Sequence, residues 1–129
     1  MNFIATVLSI GIGATIGASL RYYIGVLFAQ ILHKDSFYAT LTSNIIGCFM
    51  AGIVVFIIIE KMSLSEFYKL LFLVGLAGSI STMAALSIDS INMIINGNYL
   101  KSFLNILVNV TLSLLSAFIA IIIAKYFLT

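Results

Sequence analysis

The stretch Gly75–Ser87, GLAGSISTMAALS, lies inside a membrane-length apolar segment, yet it is built almost wholly from small residues and hydroxyls. Small side chains pack poorly against acyl chains, so a lipid-facing helix gains nothing from such a run. Non-helical backbone at membrane depth persists only where protein or a water-filled path buries it. The run therefore predicts a spanning helix that is interrupted, with its backbone turned toward a partner or an ion, and it marks the working centre of the chain. The sequence has no proline, so Gly78 with Ser79 is the expected break point.

Outward from this stretch the composition is that of a membrane protein. The 129 residues are 63% hydrophobic and 8% charged, with mean hydropathy +1.26, far outside the range of soluble domains. Six Lys and Arg with four Asp and Glu cannot solvate a globule of this apolarity. A spanning helix needs about 20 mostly apolar residues, and the chain divides into four such pieces, near 4–32, 37–59, 70–95 and 99–127. The seams are His33-Lys34-Asp35-Ser36, then Glu60-Lys61 with a short amphipathic link over 62–69, then the turn signal Asn96-Gly97-Asn98. The expected fold is an all-α integral membrane domain of four transmembrane helices over residues 1–129. The first apolar run has neither a basic leader nor a convincing cleavage site, so it reads as a span and not as a signal peptide. Cys48 stands alone in mid-span and reads as a small buried apolar residue.

Orientation in a membrane follows the Lys and Arg asymmetry between short loops. Four spans place Lys61, Lys69 and Lys125 on one side, and Lys34 and Lys101 on the other with Arg21 leaning toward them. That near balance suits a chain that inserts both ways up, or one held in place by a partner.

Helix neighbours recur at three and four residues, which resolves each span into faces. Gly13 and Gly17 form a small-xxx-small pair suited to close backbone packing in lipid. Arg21 lies one turn further on, where a guanidinium must snorkel or find acceptors, so it reads as a structural anchor. The second span carries Thr40, Ser43, Asn44, Gly47 and Ala51 on one face. Asn44, both donor and acceptor, must meet a partner helix or an ion path. In the fourth span Asn105, Asn109, Ser113 and Ala117 recur at four-residue spacing, with Ser102 and Ser116 nearby, a stripe long enough to line something wet. Enzyme machinery is missing. The single histidine, His33, sits in a seam, and no carboxylate pair, metal-ligand cluster or phosphate-cradling loop is present. Asp89, the one acid within a span, can reach the headgroups or stand at the mouth of a pore.

These residues together resemble the Fluc (CrcB) fluoride channels. The family's Gly-Gly-x-x-Gly-Ala-x-x-Arg-Tyr pattern is similar to Gly13-Ala14-Thr15-Ile16-Gly17-Ala18-Ser19-Leu20-Arg21-Tyr22. Its Gly-Thr-Leu-x-x-Asn pattern is similar to Ala39-Thr40-Leu41-Thr42-Ser43-Asn44, with Gly47 and Gly52 behind it. Its signature Gly-x-x-Gly-Gly-x-[Ser/Thr]-Thr-Phe-Ser-Thr-Phe-Ser is met in part by Gly75 through Ser87. The resemblance implies a passive, fluoride-specific channel in the bacterial plasma (inner) membrane, formed by an antiparallel, dual-topology dimer. It also implies a structural sodium ion on the dimer axis, held by the backbone carbonyls of Gly78 and Ser81. The implied pore lining is Asn44, Thr40, Ser113, Asn109, Met83 and Leu86, with Arg21 and Gly17 as structural residues.

The departures from the family pattern are chemical. Met83 and Leu86 stand where the family has two phenylalanines, whose positive ring edges would face fluoride. Ala84, Ala85 and Ala117 replace hydroxyl residues. The chain therefore reads as the degenerate half of an unequal pair, with a homologous Fluc subunit as partner in preference to a second copy of itself. Two other classes stay open. A proton-coupled transporter of the small multidrug-resistance type would need an acid in the first span, which is absent; a non-conducting accessory subunit is favoured by the missing phenylalanines and opposed by the polar stripe.

Overall fold

The computed structural model describes residues 1–61 and 64–128. Its four long helices, Phe3–Ile31, Ser36–Glu60, Glu66–Ile95 and Tyr99–Leu128, are each long and apolar enough to cross a membrane, and the described residues include no strand. No more than 33% of any span's apolar window is buried inside the protomer, so most of this surface is left for lipid or another subunit. The first span opens on Asn2, whose side chain accepts from the Ala5 N–H at 2.9 Å, and closes in a π-helical turn at Leu27–Ile31. His33, exposed and at φ 50°, then reverses the chain.

The third span corrects the sequence reading in two places. It begins at Glu66, inside the link read as a separate amphipathic piece: Glu66–Lys69 is already helical, with an acid where the helix N-terminus favours negative charge. Met62 and Ser63 of that link lie outside the described residues. The interruption exists, but Gly78 is helical, at φ −65° and ψ −26°. The extended backbone falls three residues later, at Ser81 (ψ 146°) and Thr82 (φ −149°, ψ 113°). Hydrogen bonding, not glycine, makes the break. The Thr82 hydroxyl caps the second half, Met83–Ile95, by accepting from the Ala85 N–H at 3.2 Å. Its own N–H leaves the helical ladder for Asn44.

The two halves of this span have different neighbours. The first half packs chiefly on the first span, and the second half on the fourth and second spans. Close approach of the first pair requires glycine on both sides. A Cβ on Gly75 would lie 2.9 Å from the Gly13 Cα and 2.6 Å from the Ile10 carbonyl oxygen, while Gly17 is pressed against the Leu76 carbonyl. The small-xxx-small pair is thus packing within the bundle. Wide π turns over Leu70–Ala77 bury Gly75, Leu76 and Ala77 in succession, between the first and second spans. The second and fourth spans also pair extensively, tied by the Ser116 hydroxyl donating to the Ile45 carbonyl at 2.8 Å. The third span ends as its turn signal predicts. Gly97, at φ 76°, places the Asn98 N–H on the Met93 carbonyl (2.8 Å) and its own N–H on that of Ile94 (2.9 Å), a Schellman closure.

Candidate functional site

The break is held open by a side chain from the second span. Asn44 Oδ1 accepts the Thr82 N–H at 2.6 Å, and Asn44 Nδ2 donates to Asn109 Oδ1 at 3.0 Å. Asn109 Nδ2 donates to both Asn105 Oδ1 (2.9 Å) and the Asn105 carbonyl (3.1 Å). Asn105 Nδ2 donates to the Ser90 hydroxyl (2.9 Å), which donates to the Leu86 carbonyl (2.8 Å). This chain of bonds ties the second, third and fourth spans together, running from the break toward the turn between the third and fourth spans. Every member is buried, with Asn105 and Asn109 1% exposed, a depth at which an unpaired amide would be costly.

The polar stripe of the fourth span is therefore divided. Asn105 faces the helix interface, Asn109 bridges interface and cleft, and Ser113 is half-buried and opens on the cleft. That cleft, of about 280 Å³, is lined by Asn44, Ser81, Thr82, Met83, Leu86, Asn109 and Ser113, with Cys48 among its walls and only half-buried. Five of the six residues expected to line a pore thus share one cavity. Thr40 is the exception. It is buried, it donates to Asp89 Oδ2 at 2.8 Å, and it lines a second cleft of about 260 Å³. Ser36 donates to the other Asp89 oxygen at 2.7 Å, so Asp89 anchors the start of the second span to the third. The second cleft also gathers Arg21, Lys34 and Ser43, and Thr82 borders both cavities. Arg21 and Lys34 give it a cationic lining.

Backbone bookkeeping at the break singles out two carbonyls. In a continuous helix the Gly78 carbonyl accepts from Thr82 and that of Ser81 from Ala85. Both donors are diverted, the first to Asn44 and the second to the Thr82 hydroxyl. Gly78 is exposed on the outside of the protomer, whereas the Ser81 hydroxyl is turned back to the Ala77 carbonyl at 3.2 Å. Among the described residues no group of three His, Cys, Asp or Glu side chains gathers. The two aromatic-replacement positions part company: Met83 is 68% exposed and Leu86 only 4%.

Sequence reasoning missed the partners that complete this geometry. Thr82 carried a signal, a hydroxyl residue just ahead of an apolar helix. Ser90 and the Asn105–Ser90 pairing carried none, because they depend on how the third and fourth spans are set against each other.

The fold and the clefts define a multi-pass membrane protein with a polar break at the centre of its third span. Residues 8–121 match the model of the family described as "CrcB-like protein, Camphor Resistance (CrcB)", and the chain belongs to that family. Among its relatives is the "Fluoride-specific ion channel FluC" of a Sulfurihydrogenibium species, 36% identical, with 92% of this chain and 95% of the relative covered. Proteins of the same name from a Nitratiruptor species and a Roseiflexus species are 36% and 33% identical, each over 97% of this chain and 95% or more of the relative.

Proposed function

We propose that this chain is a subunit of a fluoride-specific channel of the plasma membrane, carrying the ion passively and doing no enzymatic chemistry. The observation that carries this reading is the cleft in which the second and fourth spans bring Asn44, Asn109 and Ser113 together beside the break of the third, in a chain whose relatives are named for fluoride conduction. Arg21 and Lys34 line the neighbouring cleft and raise the local concentration of anions. Desolvating fluoride is so costly that several hydrogen-bond donors must replace its water together. The second Nδ2–H of Asn44 and the Ser113 hydroxyl, on side chains that line this cleft, are the donors proposed for this.

The subunit works as one half of an antiparallel, dual-topology dimer, in which the exposed face around Gly78, Met83 and Ala84 meets the partner. The carbonyls of Gly78 and Ser81, both stripped of their helical donors, suit a structural sodium ion there; such an ion supplies a fixed positive charge that ties the two breaks together. The partner is a homologous subunit of unlike sequence. Met83 and Leu86 bring no ring edges to the path, and Leu86 is committed to the protomer core.

The test is Asn44→Leu in proteoliposomes holding the assembled dimer, with fluoride efflux read by electrode against chloride. Loss of fluoride efflux with the dimer intact is expected. Unchanged efflux would reduce Asn44 to a packing residue and remove this reading.

A further inference from the structure

The end of the protomer that holds the first seam and the last turn carries a groove of its own, between the starts of the second and fourth spans, with a volume of about 220 Å³. Phe37 and Tyr38 of the second span and Leu104 and Val108 of the fourth make its wall apolar. The rings are held in place. Tyr38 stacks on Phe28 with centroids 6.4 Å apart and meets Phe37 edge-on at 5.0 Å. Two opposite charges line the same groove, Asp35 from the seam before the second span and Lys101 from the first turn of the fourth. Lys101, Leu104, Asn105 and Val108 recur at three and four residues and so share one helix face. Helical rise sets Asn105 about 6 Å and Val108 about 10 Å deeper than Lys101. The groove thus runs from headgroup level into the hydrocarbon, polar first and apolar below.

Asp35 and Lys101 share the groove without pairing to each other. Among the described residues the only ion pair joins the Met1 amine to Glu66, at the other end of the spans. Both also border a neighbouring polar cleft with Asp89, whose two carboxylate oxygens already accept from Ser36 and Thr40. A lysine alone at this level would draw any anionic lipid. A carboxylate beside it disfavours a headgroup of net negative charge and calls for one that brings its own cation. We propose that this groove binds one phospholipid with an ethanolamine headgroup, its phosphate on Lys101 and its primary ammonium on Asp35. Asn105 then stands at the level of the ester carbonyls, and the aromatic and aliphatic wall takes the upper part of an acyl chain. Choline cannot replace ethanolamine there, because its quaternary nitrogen has no N–H to give the carboxylate a charge-assisted hydrogen bond. None of the lining residues belongs to the face proposed for the partner subunit, and the site is independent of the ion conducted.

The experiment counts lipids retained by the delipidated full chain in detergent, by native mass spectrometry. The chain is incubated with phosphatidylethanolamine, phosphatidylcholine or phosphatidylglycerol of identical acyl chains. One phosphatidylethanolamine per subunit is expected, held about tenfold more tightly than phosphatidylcholine, the effect of one charge-assisted hydrogen bond. Lys101→Gln is expected to weaken that retention about tenfold, and Lys101→Arg to keep it. Asp35→Asn is expected to hold the two zwitterionic lipids alike. Lys125→Gln, at the far end of the same helix, is expected to change nothing. Tm without lipid is expected to be the same in all of these variants. Equal retention of phosphatidylethanolamine and phosphatidylcholine by the unaltered chain overturns the inference. A preference for phosphatidylglycerol also overturns it, because Lys101 would then act without Asp35. An ethanolamine preference undiminished in either Lys101→Gln or Asp35→Asn places the lipid elsewhere and overturns it as well.

Discussion

In the proposed path Asn44 joins structure to function because one amide serves both. Its oxygen holds the third span open at Thr82, and one N–H remains for the cleft. Replacing it with Leu strands the buried Thr82 N–H, and the expected loss of folding stability is about 1–3 kcal/mol, measurable as a lowered Tm in detergent alongside the loss of flux. Ser113→Ala removes the neighbouring hydroxyl and is expected to reduce fluoride flux about tenfold with Tm unchanged, since Ser113 is only half-buried and no other described side chain is hydrogen-bonded to it. Equal flux in the Ser113 variant would take that hydroxyl out of the path. Both residues were legible in the sequence because a polar side chain in an apolar span must be matched by a partner or an ion. What each is matched to was not legible. Asn105 and Asn109 share the four-residue spacing of Ser113, and spacing alone cannot separate the residues that close an interface from the one that faces a cavity.

At the level of elements, the break in the third span was visible as a run of small residues, while its position was not. Glycine content pointed to Gly78, but the backbone departs at Ser81 and Thr82 because a capping hydroxyl and a cross-span amide compete with the helix there. Competition of that kind depends on the second span lying beside the third. The first half of the third span is held by glycine contacts. Gly75→Val is expected to overpack the contact with Gly13 and cost about 1–3 kcal/mol. Gly11→Ala, where an added Cβ meets nothing within 4 Å, is expected to leave Tm unchanged. A similar loss in both variants would mean that the Gly13–Gly75 contact has no special place in the packing. For the ion ligands proposed at the break, Ser81→Ala is expected to conserve assembly and flux, because its hydroxyl is turned back to Ala77 and the carbonyl is unaltered. Replacing sodium by a larger cation is expected to weaken the dimer on native gels or to slow efflux. Indifference of both to sodium would remove the proposed ion.

The whole protomer leaves most of its apolar surface uncovered, including Met83 and the exposed turn of Gly78 beside the cleft. Membrane class and family were legible from composition and from three spaced motifs, because four apolar lengths and their polar seams are linear properties of a chain. The proposed second subunit is not a linear property, and only the departures at Met83, Ala84, Ala85, Leu86 and Ala117 point to its character. With those five positions apolar, a path walled twice by this chain offers a dehydrated ion few donors. The central claim is therefore a fluoride path shared between unlike chains, and reconstitution tests it most directly. Fluoride efflux is measured from liposomes holding the purified chain alone, and from liposomes holding the pair co-expressed with a homologue that keeps both phenylalanines. The account predicts rapid, fluoride-over-chloride efflux from the pair, lost when the homologue's phenylalanines are replaced, and little from the chain alone. Rapid, selective efflux from the chain alone would contradict it.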